Sequence, residues 1–144
     1  MGTRIVSDAL RVWEFVHAYT PVPVNGSMKG LGLERDGALV SGVLYEGWNG
    51  HNLWMHVALA PGHRWTPAYL RYCFVYPFEE LGCRRVSGYV EASNAAARRV
   101  DENLGFRPEA TLKGAATDGG DVVLYVMWRD ECRFLRGRHG IEKQ

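Results

Sequence analysis

The chain reads as a single mixed α/β domain, and three observations predict that class. Its 144 residues suit one domain, with roughly 68–70% of the unfolded surface buried at this size. Its composition, 47% hydrophobic and 23% charged, is that of a globular chain and not of a disordered one. The apolar spacing runs helix, then β-β-β-α-β-α-β-β. An antiparallel meander followed by strand–helix–strand units makes a mixed sheet.

The elements follow in order. Ser7 stands as an N-cap before Ala9, Val12, Trp13 and Val16, an i, i+3, i+4, i+7 stripe, and predicts a helix over 8–18. Two prolines and a glycine in 20–26 stop it. Strands over 30–35 and 38–45 are joined by Asp36-Gly37, a hairpin signal. After a turn at 46–50, a strand over 52–59 places Leu53, Met55, Val57 and Leu59 on one face. Trp54, His56 and Ala58 lie on the other. Both faces are mainly apolar, so this strand is expected to be central.

Thr66 then caps a helix with Pro67 at its first position and Leu70, Cys73, Phe74, Phe78 and Leu81 as its buried stripe. Pro77 lies inside it and removes the bond to the Cys73 carbonyl, so a kink is expected there; Gly82 ends it. A strand over 85–91 carries Val86, Gly88 and Val90 on one face. Ser93 or Asn94 caps a helix with the stripe Ala97, Val100 and Leu104, closed by Gly105 and the apolar Phe106. Strands over 107–113 and 121–129 finish the domain, taken as 1–135. The Arg-rich segment 136–144 is expected to be a frayed tail.

Charge and cysteine usage exclude several classes. Seventeen Lys+Arg against sixteen Asp+Glu leave +1, so no global field favours nucleic acid or an anionic membrane. No apolar run reaches a membrane span, and residues 1–15 hold charges at Arg4, Asp8 and Arg11 in place of a signal core. After the opening Met-Gly, Ser7 stands one position too late for the usual myristoylation pattern. Cys73, Cys83 and Cys132 form no Cys-x-x-Cys pair, and the five histidines have no ligand spacing. No metal and a reducing, cytoplasmic setting are therefore expected.

The strand–loop–helix over 52–81 has a physical reason to hold an anion. A helix start leaves unpaired N–H groups and about half a positive charge, and His63 and Arg64 add side-chain donors. Any strand-to-helix loop has this shape, so Thr66 as a plain cap is the competing reading.

The runs FEELGCRRV at 78–86, ASNAAARRVDENLGFRPE at 92–109 and DVVLYVMWR at 121–129 add a family. In that order they resemble the GNAT acetyltransferases, in particular the branch of ribosomal-protein N-terminal acetyltransferases. The resemblance covers residues 57–134 and implies a mostly antiparallel sheet of six to seven strands, helices on both faces and a splayed central strand pair. It implies acetyl-CoA as co-substrate, its arm paired with backbone at Val57, Ala58 and Leu59. The diphosphate would lie on the loop from Gly62 through His63, Arg64 and Trp65 to Thr66, with Asn94 beside the arm. One departure stands out: the family loop carries glycine and small residues where this chain has Arg64 and Thr66. Either Arg64 points outward and replaces backbone contacts with a charge-assisted one, or the site is weakened.

Acetyl transfer to an amine needs a neutral amine, a stabilised oxyanion and a proton for the departing sulfur. A backbone N–H of strand 52–59 would serve the oxyanion. His56 and Glu46 are the candidate bases, weighed against a core histidine and a solvated edge carboxylate. The tyrosine acid frequent in the family falls on Asp101 and is absent here. The acceptor pocket is expected from residues 20–27 and the hairpin carrying Tyr45, Glu46 and Trp48, with Trp48 and Trp54 as walls. No acidic cluster marks a polycationic acceptor. The expectation is an N-acetyltransferase acting on a protein N-terminus or a small-molecule amine by direct attack in a ternary complex. The competing reading is a catalytically inactive GNAT-fold binding or assembly module. Acceptor identity, acyl length and homodimer formation stay open.

Overall fold

The computed structural model describes residues 2–135; the tail expected at 136–144 lies outside the described residues. Seven strands form one sheet in the order β1-β2-β3-β4-β5-β7-β6. They are β1 (Thr3–Val6), β2 (Lys29–Arg35), β3 (Ala38–Glu46), β4 (Asn52–Leu59), β5 (Arg85–Glu91), β6 (Arg107–Leu112) and β7 (Val122–Trp128). The helices are α1 (Ala9–His17), α2 (Pro67–Val75) and α3 (Ala95–Leu104). All pairs are antiparallel except β4 with β5.

Most elements form where local chemistry asks for them. Asp36 and Gly37 both adopt positive φ, 52° and 87°, which is the twist a two-residue hairpin needs. Asn94 caps α3 by accepting from the Ala97 N–H, and Gly105 closes it in the left-handed region with φ 110°.

Three expectations are corrected. The sheet opens with β1, which the sequence did not reveal: four half-exposed residues carry no readable period. It is held by pairing with β2 and by Arg4, which bonds the Glu34 carboxylate at 2.6 Å. The cap of α1 is Asp8 and not Ser7, because the Asp8 carboxylate reaches the Arg11 N–H. The helix expected to run through Pro77 ends as an α-helix at Val75 and continues as a π-helical turn, Tyr76–Glu80. Pro77 cannot donate to the Cys73 carbonyl, and the buried Tyr45 hydroxyl takes that role from β3 at 2.6 Å.

The sheet carries α1 on one face and α2 with α3 on the other. The α1 face is kept close by glycines: a Cβ at Gly30 or Gly42 would stand about 3 Å from Val12 atoms. The opposite face buries Leu33, Val43, Tyr45, Leu53, Met55 and Val57 of the sheet with Tyr69, Phe74 and Phe78 of the α2 segment. Tyr69 is fully buried there, more so than the expected Leu70 and Leu81.

Tyr45→Phe leaves the Cys73 carbonyl buried without its donor, and the expected loss is about 1–3 kcal/mol in urea denaturation. Pro77→Ala restores an N–H to the helix, so the Tyr45→Phe loss is expected to shrink in that background. A double-mutant cycle with no coupling would refute this account.

Candidate functional site

β4 pairs with β5 only at Asn52–Arg85, Leu53–Val86 and Trp54–Ser87, and then the two strands part. Backbone groups alternate in direction along a strand. The Ala58 carbonyl accepts from Ser41 Oγ at 2.8 Å and the Ala60 N–H donates to Val40, both toward β3; the His51 carbonyl accepts from Arg84 on the other side. Met55, Val57 and Leu59 therefore turn their N–H and C=O toward the gap, where no partner meets the Val57 and Leu59 groups among the described residues. Val57 is only 4% exposed, so its edge is a polar strip in a dry place, able to pair with an extended ligand carrying amides. Of the three residues expected to hold the cofactor arm, Ala58 turns its backbone the other way.

The loop after β4 is built by a proline–glycine turn. Gly62 has φ +81° and the His63 N–H returns to the Ala60 carbonyl at 3.3 Å. Arg35, at the end of β2, donates to the Arg64 carbonyl at 2.9 Å and lies 3.4 Å from His63 Nδ1. Trp65 folds inward and its indole N–H donates to Ser41 Oγ at 3.0 Å, leaving Arg64 exposed. Thr66 caps α2 through the Tyr69 N–H. His63, Arg64 and Arg35 thus stand together before a helix start, a setting that favours an anion. Arg35 is a residue that sequence reasoning missed. It comes from another strand, and only the antiparallel register brings it to this loop.

On the opposite face of β4 the two candidate bases meet. His56 Nε2 lies 2.7 Å from Glu46 Oε2, and His56 is 3% exposed. The register sets Leu44 opposite His56 and Glu46 opposite Trp54, so the pair is a diagonal contact on the α1 face. Glu46 is held below its usual pKa of 4.5, chiefly by its hydrogen bond to His56 and against the effect of burial; Asn25 also donates to it at 2.9 Å. An ionised Glu46 requires the proton on His56 Nε2, which leaves Nδ1 of the neutral ring as the basic nitrogen. The Tyr89 ring stands edge-on to His56 at 4.8 Å and Trp54 lies 5.8 Å from Tyr89.

The remaining expected residues are more dispersed. Asn94 uses both ends of its amide, capping α3 and donating to the Tyr19 carbonyl at 2.9 Å, and so ties α3 to the end of α1. The segment 20–27 is anchored by Trp13 and His17 on Val22 and by Asn25 on Glu46. Trp54 joins the His56 side, whereas Trp48 is 52% exposed. A cavity of about 480 Å³ lies elsewhere, at the start of β2, lined by Ser7, Met28, Lys29, Tyr45, Tyr76 and Glu80 among others. Among the described residues no three metal-binding side chains cluster, and no helix is long and apolar enough to cross a membrane.

No family profile matches the sequence, and no curated protein does. Solved structures match the fold. A variant of the SpeG spermidine N-acetyltransferase from Vibrio cholerae aligns over 92% of this chain and 96% of its own, with a TM-score of 0.68 at 14% identity. A chimera of that enzyme with hSSAT aligns over 94% and 99%, with a TM-score of 0.65 at 15% identity. A structure described as a probable acetyltransferase aligns over 72% of this chain, with a TM-score of 0.59 at 24% identity, and the chain spans 63% of its length. The likeness is one of fold: the mixed, mostly antiparallel GNAT sheet that the motifs imply is the sheet of this chain.

Because the folded pKa of Glu46 lies below its unfolded value, its contribution to stability is complete above about pH 4.5 and is lost as pH falls through the lowered value. Glu46→Gln is expected to remove that part of the acid limb and to cost about 1 kcal/mol at pH 7 after allowance for its partial exposure. Urea midpoints between pH 3 and 7 check both; parallel curves for the two proteins would contradict the pairing.

Proposed function

We propose that the chain transfers an acetyl group from acetyl-CoA to a primary amine by direct attack in a ternary complex. The observation that carries the reading is the split between β4 and β5, with a polar backbone strip on its wall, an anion-favouring loop at its open end and a histidine–carboxylate pair behind it. Val57 and Leu59 offer the pantetheine arm the strand pairing that β5 gives up. Arg35, His63, Arg64 and the α2 start face the diphosphate, and Arg64 replaces the missing glycine contacts by charge. Bound there, acetyl-CoA supplies the activated acyl carbon; the Val57 N–H polarises its carbonyl.

The acceptor amine enters on the α1 face, between segment 20–27 and the hairpin that carries Glu46. His56 takes the amine proton at Nδ1, and Glu46 stabilises the imidazolium formed. Glu46 alone offers little for a polycation, so a protein N-terminus, as the ribosomal-protein branch implies, or a small monoamine fits better than a polyamine. The buried thiols of Cys73 and Cys83 agree with a reducing, cytoplasmic setting.

Acetyl-CoA at 100 times its Kd is expected to stabilise the protein by about 2.7 kcal/mol, a shift of several degrees in Tm. Thr66→Val combined with Arg64→Glu is expected to abolish that shift and, because the cap of α2 is lost, to lower the unliganded Tm by a few degrees. His56→Ala is expected to lower kcat for thiol release with an amine panel by about 10²–10⁴-fold. No shift at millimolar acetyl-CoA would overturn the reading. A shift without turnover on any amine would make the chain a binding module.

A further inference from the structure

The cavity at the start of β2 has no part in the scheme above. Its lining draws nothing from β4, β5, α3 or the loop at 60–66, so it is separate from the split. It lies on the α2 face of the sheet, at the end of α2 remote from the Thr66 cap. One wall is Tyr72, in the last turn of α2, with Tyr76 and Glu80, the first and last residues of the π-helical turn. Such turns are rare and recur at functional sites, and the acetyl transfer gives this one no task. The Tyr45 ring is the floor, fixed by its hydroxyl on the Cys73 carbonyl. It meets Tyr76 edge-on, with 4.9 Å between ring centres and 67° between planes. Two rings near a right angle make a corner, into which a third flat ring packs against one face and one edge. At about 480 Å³ the cavity falls within the roughly 300–1,000 Å³ of small-molecule sites.

Two opposite charges stand at this corner. The Lys29 ammonium lies 5.8 Å from the centre of the Tyr76 ring, and no carboxylate pairs with it among the described residues. Glu80 acts on the same ring: burial first, and the Glu80 charge second, raise the Tyr76 pKa above its usual 10.0. No hydrogen bond or ion pair holds the Glu80 carboxylate among the described residues, and the two charges do not bridge one another. A polyanion is repelled here by Glu80 and a polycation by Lys29. A flat apolar body that carries one carboxylate and one ammonium meets the corner and both charges together.

We infer that this cavity is a binding site for a free aromatic amino acid, independent of the acetyl transfer proposed above. The ligand ring occupies the corner of Tyr45 and Tyr76, with the exposed Tyr72 as its outer lip and Met28 and Leu31 as further apolar wall. Its carboxylate pairs with Lys29 and its ammonium with Glu80. Both pairs are exposed and each contributes little alone, so selectivity comes from the need for both charges on one ring.

L-Tryptophan, titrated into the full chain and followed by amide NMR shifts, is expected to bind with a Kd on the order of 0.1–1 mM, as a fragment-sized ligand does. The shifts are expected at Lys29, Gly30, Tyr76 and Glu80. Tryptamine lacks the carboxylate and indolepropionate lacks the ammonium, and each is expected to bind about fivefold more weakly. Lys29→Gln is expected to weaken tryptophan and indolepropionate by that factor and to leave tryptamine unchanged. Glu80→Gln is expected to weaken tryptophan and tryptamine and to leave indolepropionate unchanged. Both side chains are exposed, so neither variant disturbs the core. Failure of tryptophan to bind at concentrations about tenfold above that range would overturn the inference. So would equal affinity for the three probes, or variants that change all three alike. Shifts gathered at Glu46 and His56 would make the amino acid an acceptor in the split and would equally overturn this site.

Discussion

Beyond Trp54, β4 is a buried strand that is paired along one edge only, and the rest of the site follows from that constraint. Buried backbone N–H and C=O groups without partners cost free energy, so a native chain rarely keeps them. Here the edge of Val57 and Leu59 stays open because β5 meets β4 at three positions only, while its other edge stays paired with β7 from Arg85–Trp128 to Glu91–Val122. The right-handed twist carries strands apart once pairing ends. α2 starts where β4 ends and α3 starts where β5 ends, so two helix starts flank one open end of the sheet. A crevice at the carboxyl ends of parallel strands is where α/β sheets place ligands.

The same strand divides the chemistry between two faces. Because side chains alternate, Met55 and Val57 face the core with α2 and α3, whereas His56 faces α1 and the Glu46 carboxylate. The ion-pairing groups are segregated accordingly: Arg35, His63 and Arg64 gather at the open end, and the carboxylate–imidazole pair lies deeper, beside Tyr89. Burial of that pair strengthens each hydrogen bond within it and keeps its geometry narrow. Asn94 and Asn25 brace the arrangement from outside, one holding α3 to the end of α1, the other holding segment 20–27 to Glu46.

Legibility differed element by element. The β2–β3 hairpin, β4 and the two ends of α3 were readable because Asp36-Gly37, a two-faced apolar run and Asn94 with Gly105 each act within a few residues. β1 was not, since four half-exposed residues have no period and exist as a strand only by docking on β2. Pro77 announced a break, yet neither the π-turn nor the Tyr45 hydroxyl that satisfies Cys73 could be read, because the partner lies 28 residues away. In the site, His56 and Glu46 were legible as candidates by type. Arg35 carried no signal.

The sequence alone determined the element order from α1 onward, the β2–β3 turn, the two ends of α3 and the mixed sheet, since these depend on propensities and periods a few residues long. The tertiary structure alone decided that β4 and β5 part after three pairs, that His56 Nε2 meets Glu46 at 2.7 Å, and that Arg35 reaches the loop at Arg64. Those facts are distances between residues far apart in the chain. They are set by register, twist and packing acting together, and no local pattern encodes them.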